Sequence, residues 1–343
     1  MLGFIARCDN TGLGVESADV VRWLEPDRVF VVAGPGPAER RQEFPERFSS
    51  CRDVTFHTKP PTSSQVDDFL AGLDTLFAIE TPYDWTFIER ANALGVRTVL
   101  RINYECLPDP IPVLPDTLVA PIDWYQPPSA IVLPFPVDRG RFPFRRREQA
   151  HTFVHIAGHH GRFGRNGTQE LLEAIPQVRS DVEFIIYSQI PIETIDDPRV
   201  EWRIGDCVDN AELFKEGDVL AFPRRYGGQA LAMNEALSSG MPVMMTNMRP
   251  QSSFLPNELL IPPQRFERAR LFREVELAVI DPAAIAAQID AWANRPIGAL
   301  SDRADDYAES ISWKTLRPRY RDLLGGVSGG KGAGGVHRVG ARP

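Results

Sequence analysis

The chain has few cysteines and no long apolar run. Its 343 residues include four scattered cysteines, with no Cys-x-x-Cys pair and no histidine at metal-ligand spacing: Cys8, Cys51, Cys106 and Cys207. This pattern argues against a disulfide framework or a structural zinc site and favours a reducing compartment. No window reaches the roughly 18 apolar residues of a membrane-spanning helix, and the N-terminus lacks a basic segment followed by an apolar one. We therefore expect no membrane span and a cytoplasmic location.

The chain also lacks an excess of positive charge. Its net charge is −8 and its isoelectric point is near 5.4, so it has no global attraction for nucleic acid. One local basic run stands out, with arginines at 139, 141 and 145–147. Apolar residues make up 43% and charged residues 24%, an ordinary globular composition, and the length suits two domains of roughly 100–200 residues each.

Short β-rich runs alternate with amphipathic stretches along most of the chain. The first half contains LGFIA, RVFVVAG, VTFHT, TLFAIE and VRTVLRIN, and the second half restarts with HTFVHIAG, VEFIIYS and DVLAFP. This alternation predicts two doubly wound α/β domains, each with a parallel sheet. The proline-rich stretch 127–143 connects the two patterns and places the boundary near Asp138. The glycine-rich residues 326–343 predict a disordered tail.

The segment from Asp218 to Val243 predicts a buried strand, a glycine turn, a helix and a second strand. Gly227 and Gly228 allow a ligand to approach the backbone closely, and the free N–H groups at the helix start favour an anion such as a diphosphate. Glu235, one or two turns into the helix, is then placed to accept hydrogen bonds from ribose hydroxyls. The same pattern equally fits a strand–turn–helix whose glycines serve packing and whose glutamate is solvated.

This segment resembles the donor site of the GT-B glycosyltransferases that include glycogen and sucrose synthases. The matching positions are Pro223, Gly228, Glu235-Ala236, Gly240 and Pro242-Val243. The resemblance implies two Rossmann-like domains facing a cleft that holds a nucleotide-sugar. In that family the second glutamate of the motif binds the ribose, a role that falls on Glu235, and the loop before it would include Gln229 and Ala230. The family's first glutamate, which contacts the transferred sugar, falls on Gly227, so the stereochemical outcome stays open.

Two glycine- or arginine-containing loops fit the same resemblance. Residues 156–167 follow the first strand of the second domain, where the family's cations hold the diphosphate, which makes Arg162 and Arg165 the candidates. Fixed cations and a helix N-terminus stabilise a departing diphosphate without a metal, so we expect neither a metal nor a cofactor. The loop with Gly12 and Gly14 matches a glycine-rich loop near the donor phosphates. It also fits a dinucleotide-binding domain, but no acidic residue ends the second strand as that site requires.

Two further segments resemble the mechanical parts of the family. Residues 132–142 resemble the hinge between the lobes, and residues 311–320 resemble the closing helix that crosses back to the first lobe. We therefore assign residues 1–137 to an acceptor-side domain, 138–300 to a donor domain, 301–325 to the crossing helix and 326–343 to the tail.

On the acceptor side, Glu80 and Glu105 follow two predicted strands of the first domain. Either carboxylate could act as general base on an acceptor hydroxyl, and the histidine that many relatives carry near these places is absent. As alternatives, Glu80 caps a turn and Glu105 pairs with an arginine such as Arg101. The strand ends also resemble glycosyltransferase-like proteins of actinobacterial phages, which makes hydroxylated bases in DNA one possible acceptor beside metabolites and glycans.

The leading hypothesis is a metal-independent glycosyltransferase that moves a sugar from a nucleoside-diphosphate sugar to a hydroxyl acceptor. Gly227 and the missing histidine motivate a second hypothesis, a GT-B protein that binds nucleotide-sugar without catalysis. A nucleotide-sugar epimerase of the same two-lobe architecture is a third.

Overall fold

The structure, a computed structural model, describes residues 1–32, 43–57, 60–80, 84–124, 127, 129–159, 162–207 and 209–325. The glycine-rich tail, residues 326–343, lies outside the described residues. The prediction of a disordered tail therefore stays a prediction.

The N-terminal lobe is built on a seven-stranded parallel sheet. Its elements are β1 (Leu2–Ala6), α1 (Gly12–Leu24), β2 (Arg28–Val32), β3 (Asp53–His57), α2 (Ser63–Leu70), β4 (Thr75–Glu80), α3 (Thr86–Ala93), β5 (Arg97–Ile102), β6 (Thr117–Ala120) and β7 (Ile131–Val132), in the sheet order β3-β2-β1-β4-β5-β6-β7. Successive residues of one strand enter different cores, as Phe77 and Leu76 do on β4. Burial on both faces explains why the inner strands β1, β2 and β4 are nearly continuous apolar runs.

The C-terminal lobe is built on a six-stranded parallel sheet with the order β10-β9-β8-β11-β12-β13. Its elements are β8 (Thr152–Gly158), α4 (Thr168–Ala174), β9 (Glu183–Ser188), β10 (Val200–Ile204), β11 (Val219–Phe222), α5 (Leu231–Ser238), β12 (Val243–Thr246), β13 (Leu260–Ile261), β14 (Arg265–Arg270), β15 (Glu274–Val279) and α6 (Pro282–Trp292). The antiparallel hairpin β14–β15 was not predicted from the sequence. The two parallel sheets confirm the doubly wound α/β class.

The segment assigned to the crossing helix, residues 301–325, is covered by two helices, α7 (Gly298–Ser310) and α8 (Trp313–Gly325). The interruption has a local cause, because the linker residue Val137 donates its N–H to the Ile311 carbonyl and accepts from the Trp313 N–H, both at 3.0 Å. The Ser312 hydroxyl then caps α8 by accepting from the Thr315 N–H at 3.1 Å. α7 packs on α5, and α8 packs on α1 and β4, so the chain passes from one lobe to the other at residues 311–312.

The five arginines of the basic run hydrogen-bond to other groups of the protein. Their partners are Asp305 and Glu309 for Arg139, Asp19, Asp209 and Asn210 for Arg141, the Gly217 carbonyl for Arg145, Glu148 and Asp302 for Arg146, and four backbone carbonyls for Arg147. The run therefore ties the linker to both lobes and does not form a free cationic stripe.

Both sheets reverse their strand order once, between β1 and β4 and between β8 and β11. Ligands of open α/β sheets bind outside the carboxyl ends of the strands at such a reversal. Here the loops after these four strands face each other across a cleft between the lobes. Among the described residues, no helix is long and apolar enough to cross a membrane.

Candidate functional site

Two adjoining cavities lie between the lobes. The first, of about 160 Å³, is lined by Gly12 of the N-terminal lobe and by Tyr187, Cys207, Asn210 and Glu235 of the C-terminal lobe, among others. The second, of about 390 Å³, shares Gly12 and the start of α5 with the first and extends to the loops after β4, β5, β8 and β11. Together they form one cleft that both lobes enclose.

Glu235 lies on α5 with its side chain in the first cavity. The Asn210 side-chain amide donates to its Oε1 at 2.7 Å. Burial raises the pKa of Glu235 to about 8, although the Arg141 guanidinium opposes this shift. Burial also raises the pKa of Asp19, close by on α1, to about 6. Glu235 is therefore mostly protonated at neutral pH, and its carboxyl group can both donate to and accept from a ligand's hydroxyl groups.

The N-terminus of α5 opens into the cleft. Ala230 precedes the helix without a side-chain cap, and Leu231 and Ala232 of the first turn line both cavities. First-turn N–H groups and the helix dipole favour an anion at this place. Gly12 lies opposite, because a Cβ added there would meet the Leu231 side chain at 3.4 Å.

Gly14, predicted beside Gly12 as a donor contact, lines neither cavity. It is buried at the start of α1, where an added Cβ would collide with the Asp9 carbonyl oxygen. The absence of a side chain at Gly14 therefore lets α1 pack closely on the loop after β1. Gly14 contributes to the site by this packing.

The two arginines predicted after β8 differ in position. Arg165 lines the second cavity and forms an ion pair with Glu105 of the other lobe. Burial, followed by the nearby charge of Arg224, lowers the pKa of Arg165 to about 9, so it stays cationic at neutral pH. Arg162 is exposed and lines neither cavity, and its carbonyl oxygen accepts a hydrogen bond from the Tyr226 hydroxyl at 2.8 Å. The structure thus brings Arg165, and not Arg162, to the cleft.

The loop between β11 and α5 approaches the N-terminal lobe closely. Gly227 has a φ of 114°, and Gly228 donates its N–H to Oε2 of Glu105 at 2.9 Å. Gln229 and Ala230 line the second cavity. The Gln229 amide nitrogen donates to Asn234 at 3.0 Å and Tyr307 at 3.1 Å, while its Oε1 has no partner among the described residues.

The two acceptor-side carboxylates have different surroundings. Glu80 ends β4 with a φ of 66°, lines the second cavity and accepts from the Asn103 amide at 3.3 Å. Burial, and secondly the Glu80 charge, raises the pKa of the Cys106 thiol well above its ordinary value. A left-handed backbone outside glycine is a strained conformation that clusters at functional sites. Glu80 is the carboxylate of this pair that faces the open cleft.

Glu105 is only 2% exposed and lines neither cavity. Glu105 pairs with an arginine, as the alternative interpretation predicted, but that arginine is Arg165. Arg101 pairs with Glu16 and donates to the Tyr320 hydroxyl at 3.2 Å. Glu105 instead reaches the arginines of the opposite lobe.

Sequence reasoning missed Arg224 and Asn210. Arg224, 4% exposed, lines the second cavity and donates to the Gly228 carbonyl at 3.1 Å, and burial lowers its pKa to about 10. Arg224 directly follows the buried strand DVLAFP. Since the carboxyl ends of parallel strands present ligand-binding groups, this position could have identified Arg224, as it identified Glu80. Asn210 carried no comparable signal. Among the described residues, no group of three or more histidine, cysteine or carboxylate side chains is placed to hold a metal ion.

Comparison with known proteins gives a family match and several matches in fold. Residues 154–290 match the family model described as glycosyl transferases group 1. No curated protein matches the chain in sequence. The structure of HepE from Anabaena, in complex with UDP, is similar with a TM-score of 0.65 and 11% identity, covering 95% of this chain and 100% of HepE.

Two other solved structures are similar over nearly the whole chain. Sucrose-phosphate synthase from Thermosynechococcus elongatus has a TM-score of 0.62 and 14% identity, covering 94% of this chain and 99% of its own. WaaG, a glycosyltransferase involved in lipopolysaccharide biosynthesis, has a TM-score of 0.52 and 15% identity, and the match covers 96% of this chain and 100% of WaaG. These likenesses confirm the GT-B fold.

Proposed function

We propose that this chain is a glycosyltransferase that transfers a sugar from a nucleoside-diphosphate sugar to a hydroxyl acceptor without a metal. The match of residues 154–290 to the group 1 glycosyl transferases and the GT-B fold of the chain support this proposal. We further propose that uridine is the base of the donor. The complexes of HepE with UDP and with UDP-glucose support this choice.

One observation carries the proposal: the cavity that holds the Glu235 carboxyl group continues to the uncapped start of α5. In our proposal the ribose hydroxyls bind Glu235, whose Oε1 is held by Asn210. The base then lies beside Tyr187, and the diphosphate lies between Gly12 and the first-turn N–H groups of α5. We place the ribose and the diphosphate in this order because the cavity wall changes from a carboxyl group, which binds hydroxyls, to a helix N-terminus, which binds anions.

The cations beyond the helix start support the transfer step. When the glycosidic bond to the diphosphate breaks, negative charge grows on the leaving oxygen. Arg165 and Arg224 border the second cavity, and fixed cations stabilise such charge without reorganisation at the moment of reaction. We propose that these two arginines, with the α5 amides, take the part that a metal ion plays in other transferases.

We propose Glu80 as the general base on the acceptor hydroxyl. It lines the cleft beside Asn103. It also borders a cavity of about 790 Å³ that is lined by Trp85 of the N-terminal lobe and by Phe272 of the turn between β14 and β15. An acceptor held in that cavity would present its hydroxyl to Glu80 from the side opposite the donor. This arrangement brings base, acceptor and donor together at the carboxyl ends of the two sheets.

Isothermal titration calorimetry with UDP and GDP tests the donor assignment. We expect UDP to bind, and Glu235→Ala to weaken it by about tenfold or more, because a buried partner of the ribose hydroxyls is lost. Glu258→Ala is the matched control, since that glutamate pairs with Arg303 at the surface and lines neither cleft cavity.

Binding of neither nucleotide, or equal UDP binding by wild type and Glu235→Ala, would contradict the proposed site. Release of free sugar from UDP-sugars over hours, without added acceptor, separates an enzyme from a protein that only binds its donor. An isomeric nucleotide-sugar in the same reaction would instead indicate an epimerase.

A further inference from the structure

A carboxylate of the acceptor-side lobe is buried inside the donor loop. Glu105 follows β5 in the N-terminal lobe, yet its hydrogen-bonding partners in the C-terminal lobe are Arg165 and the Gly228 N–H, the latter at 2.9 Å. Arg224 lies 3.6 Å from the same Oε1. Both oxygens of Glu105 are therefore engaged by donors of the opposite lobe.

This carboxylate fills the space beside Gly227. A Cβ added to Gly227 would lie 2.9 Å from Oε1 of Glu105, 2.6 Å from Nη2 of Arg224 and 2.9 Å from Nη2 of Arg165. The φ of 114° also excludes an ordinary side chain there. Gly227 has no side chain to fill this space in the donor loop. Glu105, from the other lobe, places its carboxylate there instead.

The charges around Glu105 explain what the carboxylate does. Two guanidinium groups in one buried place repel each other, and a shared carboxylate holds them together. The Nε groups of Arg165 and Arg224 have no hydrogen-bond partner among the described residues, and neither has Oδ1 of Asn103 beside them. Within this cluster, two guanidinium groups stand against the single carboxylate of Glu105, and both arginines line the second cavity, which suits an anionic ligand.

We propose that Glu105 is a positioning residue that holds Arg165, Arg224 and the Gly228 N–H in the arrangement that binds the distal phosphate of the donor. This inference rests on the proposed function and deepens it. Because Glu105 belongs to the acceptor-side lobe, the distal phosphate site is complete only when the two lobes are in contact. The nucleoside end, built on Glu235 and Asn210, does not depend on Glu105.

The test compares UDP with UMP, which lacks the distal phosphate, by calorimetry on the full chain. Glu105→Gln keeps the side chain's shape and removes its charge. We expect it to weaken UDP binding about tenfold, because a buried charge loses its partner, and to leave UMP binding within about threefold. Glu105→Asp, which keeps the charge on a shorter stem, should restore part of the UDP affinity and serves if the glutamine variant does not fold.

Asp109→Asn is the matched control, since Asp109 also reaches an arginine across the lobes, Arg273 at 3.4 Å, but lies outside the cavities. It should change neither affinity. Equal weakening of UDP and UMP, or no weakening of UDP, overturns the proposal. A loss of transfer with unchanged UDP affinity would make Glu105 a base and overturns it too. If the wild-type protein binds neither UDP nor UMP, the proposed function is rejected, and the inference is rejected with it.

Discussion

Replacing Glu235 by glutamine should change the pH dependence of folding stability. The pKa of Glu235 is raised from 4.5 to about 8 by burial, so the folded chain keeps a proton that the unfolded chain releases. Stability from this group is fully present below pH 4.5 and is lost as the pH rises towards 8. From these two pKa values, linkage gives a loss of about 2.5 kcal/mol between pH 5 and pH 7.

Glu235→Gln keeps the shape of the side chain and cannot ionise, so it removes this loss. Urea unfolding followed by tryptophan fluorescence, at pH 5, 6 and 7, measures the free energy of unfolding of both proteins. The stability of wild type relative to the variant should fall by about 2.5 kcal/mol over this range. Glu258→Gln controls for the loss of a glutamate elsewhere in the lobe. A difference that changes by less than about 0.5 kcal/mol, the scale of ordinary surface substitutions, would refute the reasoning that burial keeps Glu235 protonated.

Three further outcomes are expected. Glu80→Gln should abolish transfer to an acceptor, in an assay of UDP release, while UDP affinity by calorimetry stays unchanged, and a loss of UDP affinity would place Glu80 in the donor site instead. Gly14→Ala should destabilise the chain by about 1–3 kcal/mol in urea unfolding, because the added methyl overpacks against the Asp9 carbonyl; wild-type stability would show that the loop yields freely. Trp313→Ala removes a buried ring stacked on Trp23 at 6.1 Å and should cost about 3–5 kcal/mol, whereas a cost under about 1 kcal/mol would mean that α8 adds little to the N-terminal lobe.

The sequence by itself determined the two-lobe α/β architecture. Apolar strands such as LGFIA and TLFAIE, alternating with helical patterns, have one stable solution, a parallel sheet covered on both faces. The presence of α5 was also predictable, since the glycine turn at residues 227–228 precedes the helix and Gly240 follows its C-cap. The choice of Glu235 as the candidate ribose contact came from its place in the family's motif, and this role stays a prediction. These are local properties, and local patterns specify them.

Only the tertiary structure decided which polar side chains meet in the cleft. Arg162 and Arg165 are three residues apart in one loop, but the turn at Phe163, with φ 55°, leaves the first exposed and directs the second to Glu105. The Asn210–Glu235 hydrogen bond and the Glu105–Arg165 ion pair join residues 25 and 60 positions apart. No periodicity encodes such distances. Side chains of different elements meet only after a sheet has folded, and side chains of different lobes meet only after the chain has crossed between the lobes at residues 311–312.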